Sequence, residues 1–140
     1  MNDKSPTPEV FDPAAAGWDI VDRMGFGHHV GPLWRKGDGC FGFVVAEKHI
    51  NFNNVLHGGM LATLVDQAMG MTALRASGGK KHATIELSVQ FVGAIRLGEF
   101  VEANCEVVRL TRSIIFMRTK VTVGTRTVGT ASGVWKIAGD

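Results

Sequence analysis

This chain of 140 residues predicts an α+β domain: a curved antiparallel sheet wrapped around one long central helix, with a short N-terminal helix ahead of both. Three observations carry that expectation. One stretch, Gly58 to Ala76, has only Thr63, Asp66, Gln67, Thr72 and Arg75 as polar members, so it reads as a helix buried on nearly every side. Everything beyond it is strand-like, in alternating or β-branched runs separated by short turns. No internal repeat or shift in composition marks a second domain.

Taken in order, residues 1–13 ("MNDKSPTPEVFDP") carry acids and prolines where a signal peptide needs an apolar segment. They read as a mobile tail of a cytoplasmic protein, and residues 14–140 as the single domain. "PAAAGWDIVDRMGF" is expected to form the short helix, with Pro13 in its first turn and Trp18, Val21 and Met24 at helical spacing. "HHVGPLW" is a connector. "LWRKGDGCFGFVVAE" is a hairpin turning at Gly37 to Gly39. "KHINFNNVLHG" is an irregular, Asn-rich loop, and the long helix ends at the glycine-rich "SGGKK". "ATIELSVQFV" then alternates, with Ile85, Leu87, Val89 and Phe91 on one face and Thr84, Glu86, Ser88 and Gln90 on the other. "EFVEANCEVVRL", "SIIFMRTKVTV" and "RTVGTASGVWKI" follow, joined near Thr111-Arg112 and Gly124-Thr125, as an antiparallel meander.

The net charge of +2 is spread along the chain, which argues against nucleic-acid and membrane-surface partners. No apolar run approaches the roughly 20 residues a bilayer span needs. Cys40 and Cys105 are expected as free thiols. His28-His29 lacks the spacing of a helical metal site, and no cysteine or carboxylate cluster supports it, so no metal is expected. "GFGHHVG" is not a dinucleotide fingerprint, and no serine sits in a nucleophile elbow. Lys80, Lys81, Arg96, Arg109 and Arg112 fall at turns or strand ends, where a solvated face explains them.

The chemistry concentrates in "NNVLHGGMLATLVDQAMG". Asp66 is a lone carboxylate in an apolar helix, with the small residues Ala62, Thr63 and Gly70 around it; it either pairs with an arginine or serves a ligand. The helix opens on His57-Gly58-Gly59. A helix start presents unpaired N–H groups, and two glycines let a ligand approach them; a tight junction capped by His57 would use the same residues. Gly58 and Asp66 are eight residues apart, about 12 Å along the axis. They cannot act on one carbonyl within one chain. If both are catalytic, the helix start of one subunit meets the carboxylate of another across a two-fold dimer, and exposed sheet edges suit such pairing.

"NFNNVLHGGMLATLVDQAMG" followed by "HATIELSVQFVGAIRLGE" resembles the hotdog-fold acyl-CoA thioesterases, in particular their PaaI-like, phenylacetate-pathway branch. The resemblance spans Ile50 to Glu99, and the later strands fit it to Lys136. It implies hydrolysis of an acyl- or aryl-CoA thioester to the free acid and CoA, without metal or redox cofactor. Asp66 matches the carboxylate that acts as general base or nucleophile, and the Gly58 N–H the group that polarises the carbonyl. Asn51 matches a loop residue orienting substrate or water, His57 a pocket wall, and Thr84 a hydroxyl beside Asp66. Gly59, Thr63 and Gln67 are expected to touch substrate. Asn54 stands where many relatives carry Gly, as the next best residue for left-handed backbone. The resemblance also implies a homodimer with Asn51, His57 and Gly58 of one subunit facing Asp66 and Thr84 of the other, and a dimer of dimers beyond it. A hydratase or dehydratase of acyl thioesters, using His57 with Asp66, is one rival. A non-catalytic acyl-CoA binding module is the second.

Overall fold

The computed structural model of the protein describes residues 10–21 and 24–139. In chain order the elements are β1 (Asp19–Val21), α1 (Gly25–Val30), β2 (Leu33–Lys36), β3 (Cys40–Val44), a 3-10 turn (Glu47–His49), α2 (Gly58–Ala76), β4 (His82–Phe91), β5 (Phe100–Leu110), β6 (Ile114–Val123) and β7 (Arg126–Ile137). The seven strands form one antiparallel sheet in the order β1-β2-β3-β5-β6-β7-β4. α2 packs against β3 to β7 on one face of the sheet, so the α+β architecture is the expected one. No helix among the described residues is long and apolar enough to cross a membrane.

α2 keeps the bounds read from its residues. His57 caps its start, its Nδ1 accepting the Gly59 N–H at 2.8 Å. Gly78 and Gly79 end it with positive φ, their N–H groups donating to Arg75 O and Leu74 O in a Schellman motif. Met60, Leu61, Leu64, Val65, Ala68, Met69 and Ala73 are buried. The sheet answers with Ile115, Met117 and Val121 of β6, Ala131 and Trp135 of β7, and Val101 and Ala103 of β5. Trp135 lies flat only because Gly133 has no side chain: a Cβ there would fall 2.3 Å from its ring and 3.0 Å from Met69 Sδ.

Four expectations need correction. Pro13 to Gly17 form a turn and Asp19–Val21 a strand paired with β2, not a helix; the short helix starts only at Gly25 and takes in His28 and His29. Trp18 and Val21 are buried while Met24 is exposed, so their spacing of three had imitated a helical face. Second, the tail is not free over its whole length. Residues 1–9 lie outside the described residues, but Pro13 is buried and Phe11 stacks on Phe100 at 4.5 Å. Third, the meander covers only β5, β6 and β7; β4 crosses over to pair with β7 and forms the far edge. Fourth, α2 is not buried all round. Gly59, Asp66 and Leu74 are exposed and Thr63, Gln67 and Gly70 half-buried, an open stripe at helical spacing.

The loop before α2 hangs on a buried histidine that the sequence does not advertise. His49 Nδ1 accepts the Ala46 N–H at 2.9 Å, its Nε2–H donates to Val30 O, and its ring meets Phe43 edge-on. Its backbone oxygen takes the His57 N–H at 2.7 Å, tying the buried residue to the start of α2. Burial holds the imidazole below its ordinary pKa, and the Val30 hydrogen bond only partly offsets that.

Two outcomes follow. Gly133→Ala, which drives a methyl group against the buried indole, lowers stability by about 1–3 kcal/mol in urea denaturation. His49 with a depressed folded pKa binds protons more readily when unfolded, so its contribution to stability falls as pH drops below about 6.5. His49→Ala costs roughly 2–4 kcal/mol near neutral pH, by leaving Val30 O and Ala46 N without partners, and removes that part of the acid slope. Urea midpoints of both proteins between pH 8 and 5 check this.

Candidate active site

The residues singled out in the sequence fall into two groups at opposite ends of the open stripe of α2. The first surrounds the helix start, in a cleft of ≈ 540 Å³ bounded by Ile50, Asn51, Phe52, Asn53, His57 and Gly58. Asn51 accepts the Asn53 and Val55 N–H groups on its side-chain oxygen, at 2.9 and 3.3 Å, and closes the loop on itself. Asn54 takes φ +60°, the left-handed backbone expected of it. Asn51 therefore keeps its side-chain NH2 as a donor.

At the start of α2 the donors are largely committed. Gly59 N–H goes to His57 Nδ1, and Met60 and Leu61 N–H go to His57 O. Gly58 N–H has no acceptor among the described residues, so the one unclaimed donor of the first turn is the one the sequence reading picked out. The two glycines have separate reasons. A Cβ at Gly59 would lie 2.9 Å from the capping imidazole, and one at Gly58 would lie 3.2 Å from the ring of Phe91. Because His57 Nδ1 accepts a hydrogen bond, the ring carries its proton on Nε2. A third hollow of ≈ 370 Å³, between Gly58, Leu61 and the segment from Phe91 to Ile95, adjoins the same helix start.

The second group surrounds Asp66, in a cleft of ≈ 320 Å³ that Gln67, Gly70, His82, Thr84 and Trp135 also line. Thr84 Oγ1 donates to Asp66 Oδ1 at 2.9 Å. That contact depends on a β-bulge. Thr84 pairs with Trp135, but Glu86 pairs with Val134, so Ile85 is an extra residue. Past the bulge, Leu87, Val89 and Phe91 stand opposite Gly133, Ala131 and Gly129, in the same series as Trp135. The uninterrupted alternation had put Thr84 on the face away from these residues; the bulge puts it on the helix side with them, and leaves Ile85 exposed.

Thr63 lies on the stripe between the groups, its hydroxyl donating to Gly59 O at 2.8 Å. His82 and Trp135 are cleft residues the sequence did not single out. Trp135 looked like ordinary strand core, and His82 becomes visible only through β4's pairing at the edge. The thiols take no part in an ionised form: burial pushes Cys40 up to about 11, with Glu102 adding to it, and also raises Cys105.

A single chain thus holds a donor-bearing helix start and a carboxylate two turns away, each in its own cleft. A sequence model described as the thioesterase superfamily matches residues 53–130. The inferred esterase PA0474 of Pseudomonas aeruginosa is 30% identical over 135 residues, 93% of this chain and 96% of that protein. Human acyl-coenzyme A thioesterase 13 is 28% identical over 78 residues, 56% of each chain. A hypothetical thioesterase of Streptococcus pneumoniae, solved with coenzyme A, superposes with a TM-score of 0.68 over 88% of this chain and 90% of that one, at 22% identity. The architecture is the hotdog fold that these proteins share, and with a family match over more than half its length and a relative aligned almost end to end, the chain belongs to the thioesterase superfamily.

Proposed function

We propose that the protein hydrolyses acyl-CoA thioesters, in the manner of the PaaI-like branch, at composite sites formed between two copies of the chain. One observation carries the reading: Asp66, hydrogen-bonded by Thr84, stands on the open stripe of an otherwise buried helix, while the unclaimed Gly58 N–H lies about 12 Å away along the same axis. The separation suits a site shared across a two-fold axis. β4 is the edge that would make it. It has ten residues, pairs with β7 on one side only among the described residues, and exposes Ile85 and Phe91.

In this reading the thioester carbonyl sits against Gly58 N–H of one copy, with the Asn51 amide and His57 Nε2–H close by. Asp66 of the other copy takes a proton from water as that water attacks the carbonyl carbon; in the alternative, Asp66 attacks directly, the CoA thiolate leaves, and water then hydrolyses the acyl–aspartyl anhydride to the free acid and the regenerated carboxylate. Thr84 fixes Asp66 Oδ1 and leaves its second oxygen for the reaction. The developing oxyanion is stabilised by the donor and the positive end of the helix dipole. Collapse releases the CoA thiolate, which is protonated as it leaves. Gly59, Thr63 and Gln67 border the path between the two groups. The acyl-CoA thioesterase name of the human relative and the coenzyme A in the streptococcal structure support the choice of substrate class.

Thiol release from a panel of short, medium, long-chain and aryl-CoA thioesters tests the chemistry. Asp66→Ala lowers kcat/KM by about 10²–10⁴-fold without unfolding α2, since alanine suits a helix and Asp66 is exposed. Full activity in a folded Asp66→Ala protein would overturn the mechanism. Binding without thiol release would favour the non-catalytic module, and addition of water to an enoyl-CoA the hydratase.

A mixing experiment tests the shared site. Gly58→Pro removes the proposed donor at the helix position that best tolerates proline, after a residue already at φ −62° and ψ 130°. Alone, Gly58→Pro and Asp66→Ala are each inactive. Unfolded together and refolded as a mixture, they regain about a quarter of wild-type activity, because half the dimers are mixed and each holds one intact site. A mixture as inactive as its parents shows that the two residues do not meet across the interface.

A further inference from the structure

The Asp66 cleft continues one helical turn beyond the carboxylate, to a spot bordered by two nitrogens that have no partner among the described residues. Gly70, four residues on from Asp66, forms part of the cleft's helix wall. A Cβ there would lie 3.5 Å from His82 Nε2 and 3.9 Å from Trp135 Nε1, so both nitrogens border the space that the missing side chain leaves. Trp135 is 1% exposed, and its indole N–H has no hydrogen-bond acceptor among the described residues. The benzo edge of the indole is held over Gly133, which turns the pyrrole edge and its N–H toward Gly70. A buried indole N–H ordinarily finds a partner; this one faces an open cleft instead.

His82 supplies the complement. Its Nδ1 lies 3.4 Å from Lys80 O, which can only accept, so Nδ1 carries the proton and Nε2 offers a lone pair to the cleft. The spot therefore presents one donor and one acceptor. Among neutral groups a hydroxyl meets both at once, accepting from the indole and donating to the imidazole. A carbonyl or ether oxygen satisfies only Trp135, and a methyl group satisfies neither.

We infer that His82 and Trp135 form a hydroxyl-recognising pocket for the acyl group, and that the substrates this site favours are hydroxyacyl thioesters with the hydroxyl about 6 Å from the thioester carbonyl. The distance is one helical turn, from Asp66 to Gly70. The inference rests on the thioesterase reading of Asp66. His82 and Trp135 are specificity residues: they touch the substrate's far end and take no part in bond breaking.

The test compares hexanoyl-CoA, 6-hydroxyhexanoyl-CoA and 2-hydroxyhexanoyl-CoA in wild type, His82→Phe and Trp135→Phe. An all-trans 6-hydroxyhexanoyl chain puts its hydroxyl about 7.5 Å from the carbonyl carbon and one or two gauche bonds bring it to about 6 Å, whereas the 2-hydroxy isomer puts it beside the carbonyl. Wild type is expected to favour the 6-hydroxy substrate over hexanoyl-CoA by about tenfold in kcat/KM, with no such gain for the 2-hydroxy isomer. Each variant loses that preference, the ratio of its rates on the two substrates falling to about one; a merely structural role would depress both rates together and keep the ratio. No preference in wild type, or one that survives both substitutions, overturns the inference.

A binding readout stands apart from turnover. In Asp66→Asn protein, the indole N–H resonance that is missing from Trp135→Phe should shift with 6-hydroxyhexanoyl-CoA and stay in place with hexanoyl-CoA. If wild type hydrolyses no thioester, the catalytic reading fails, and this resonance alone decides the pocket. A selective shift supports it and an unmoved resonance ends it. If Trp135→Phe does not fold, His82→Phe and the resonance still decide.

Discussion

The structure depends on the one-sided burial of α2. Seven of its residues are buried against the sheet, and that packing fixes the helix's rotation as well as its position. Once the rotation is set, the opposite stripe is set with it, and Asp66 cannot turn inward without taking Leu64, Val65 and Met69 out of the core. The same rigidity fixes the distance between Asp66 and the helix start. A straight helix cannot bring its first turn and its third together, which is why the proposed use of both on one carbonyl calls for a second copy.

The helix start is built from small local decisions that reinforce one another. His49, buried and hydrogen-bonded on both nitrogens, anchors the loop, and its backbone oxygen holds His57. His57 then caps Gly59, which must lack a side chain to admit the imidazole. Asn51 and the left-handed Asn54 fold the intervening residues back toward the cap. The outcome is a rigid rim in which every first-turn donor but Gly58 N–H is committed. Preorganisation of this kind is what a carbonyl-binding site requires, since a donor already aimed needs no rearrangement when charge develops.

At the other end of the stripe the sheet contributes as much as the helix. A single extra residue, Ile85, changes the phase of β4 and delivers Thr84 to Asp66. Absent side chains matter as much as present ones: Gly133 lets Trp135 lie flat, and Gly70 leaves the indole N–H and His82 Nε2 facing open space. Carboxylate, hydroxyl, imidazole and indole come from three elements that are neighbours only because β4 pairs with β7.

How much of this was legible beforehand divides along the range of the interactions. The ends of α2, its glycine-rich exit, the hairpin at Gly37 to Gly39 and the left-handed Asn54 were all readable, because each is decided by contacts within a few residues. The grouping of Asn51, His57 and Gly58, and the distance separating them from Asp66, were readable for the same reason: helical geometry converts sequence spacing directly into space. Trp18, Val21 and Met24 misled because they share no element: Trp18 precedes β1, Val21 ends it and Met24 is exposed beyond it, so their three-residue recurrence marks no helical face. The place of β4 beside β7, the bulge at Ile85 and the convergence of His82 with Trp135 depend on partners about 40 to 55 residues away along the chain. Nothing local encodes them. The sequence by itself determined the helix, its cap and its lone carboxylate; only the tertiary structure decided which side of the helix stays open and what faces it there, because strand pairing and phase are settled by the whole sheet at once.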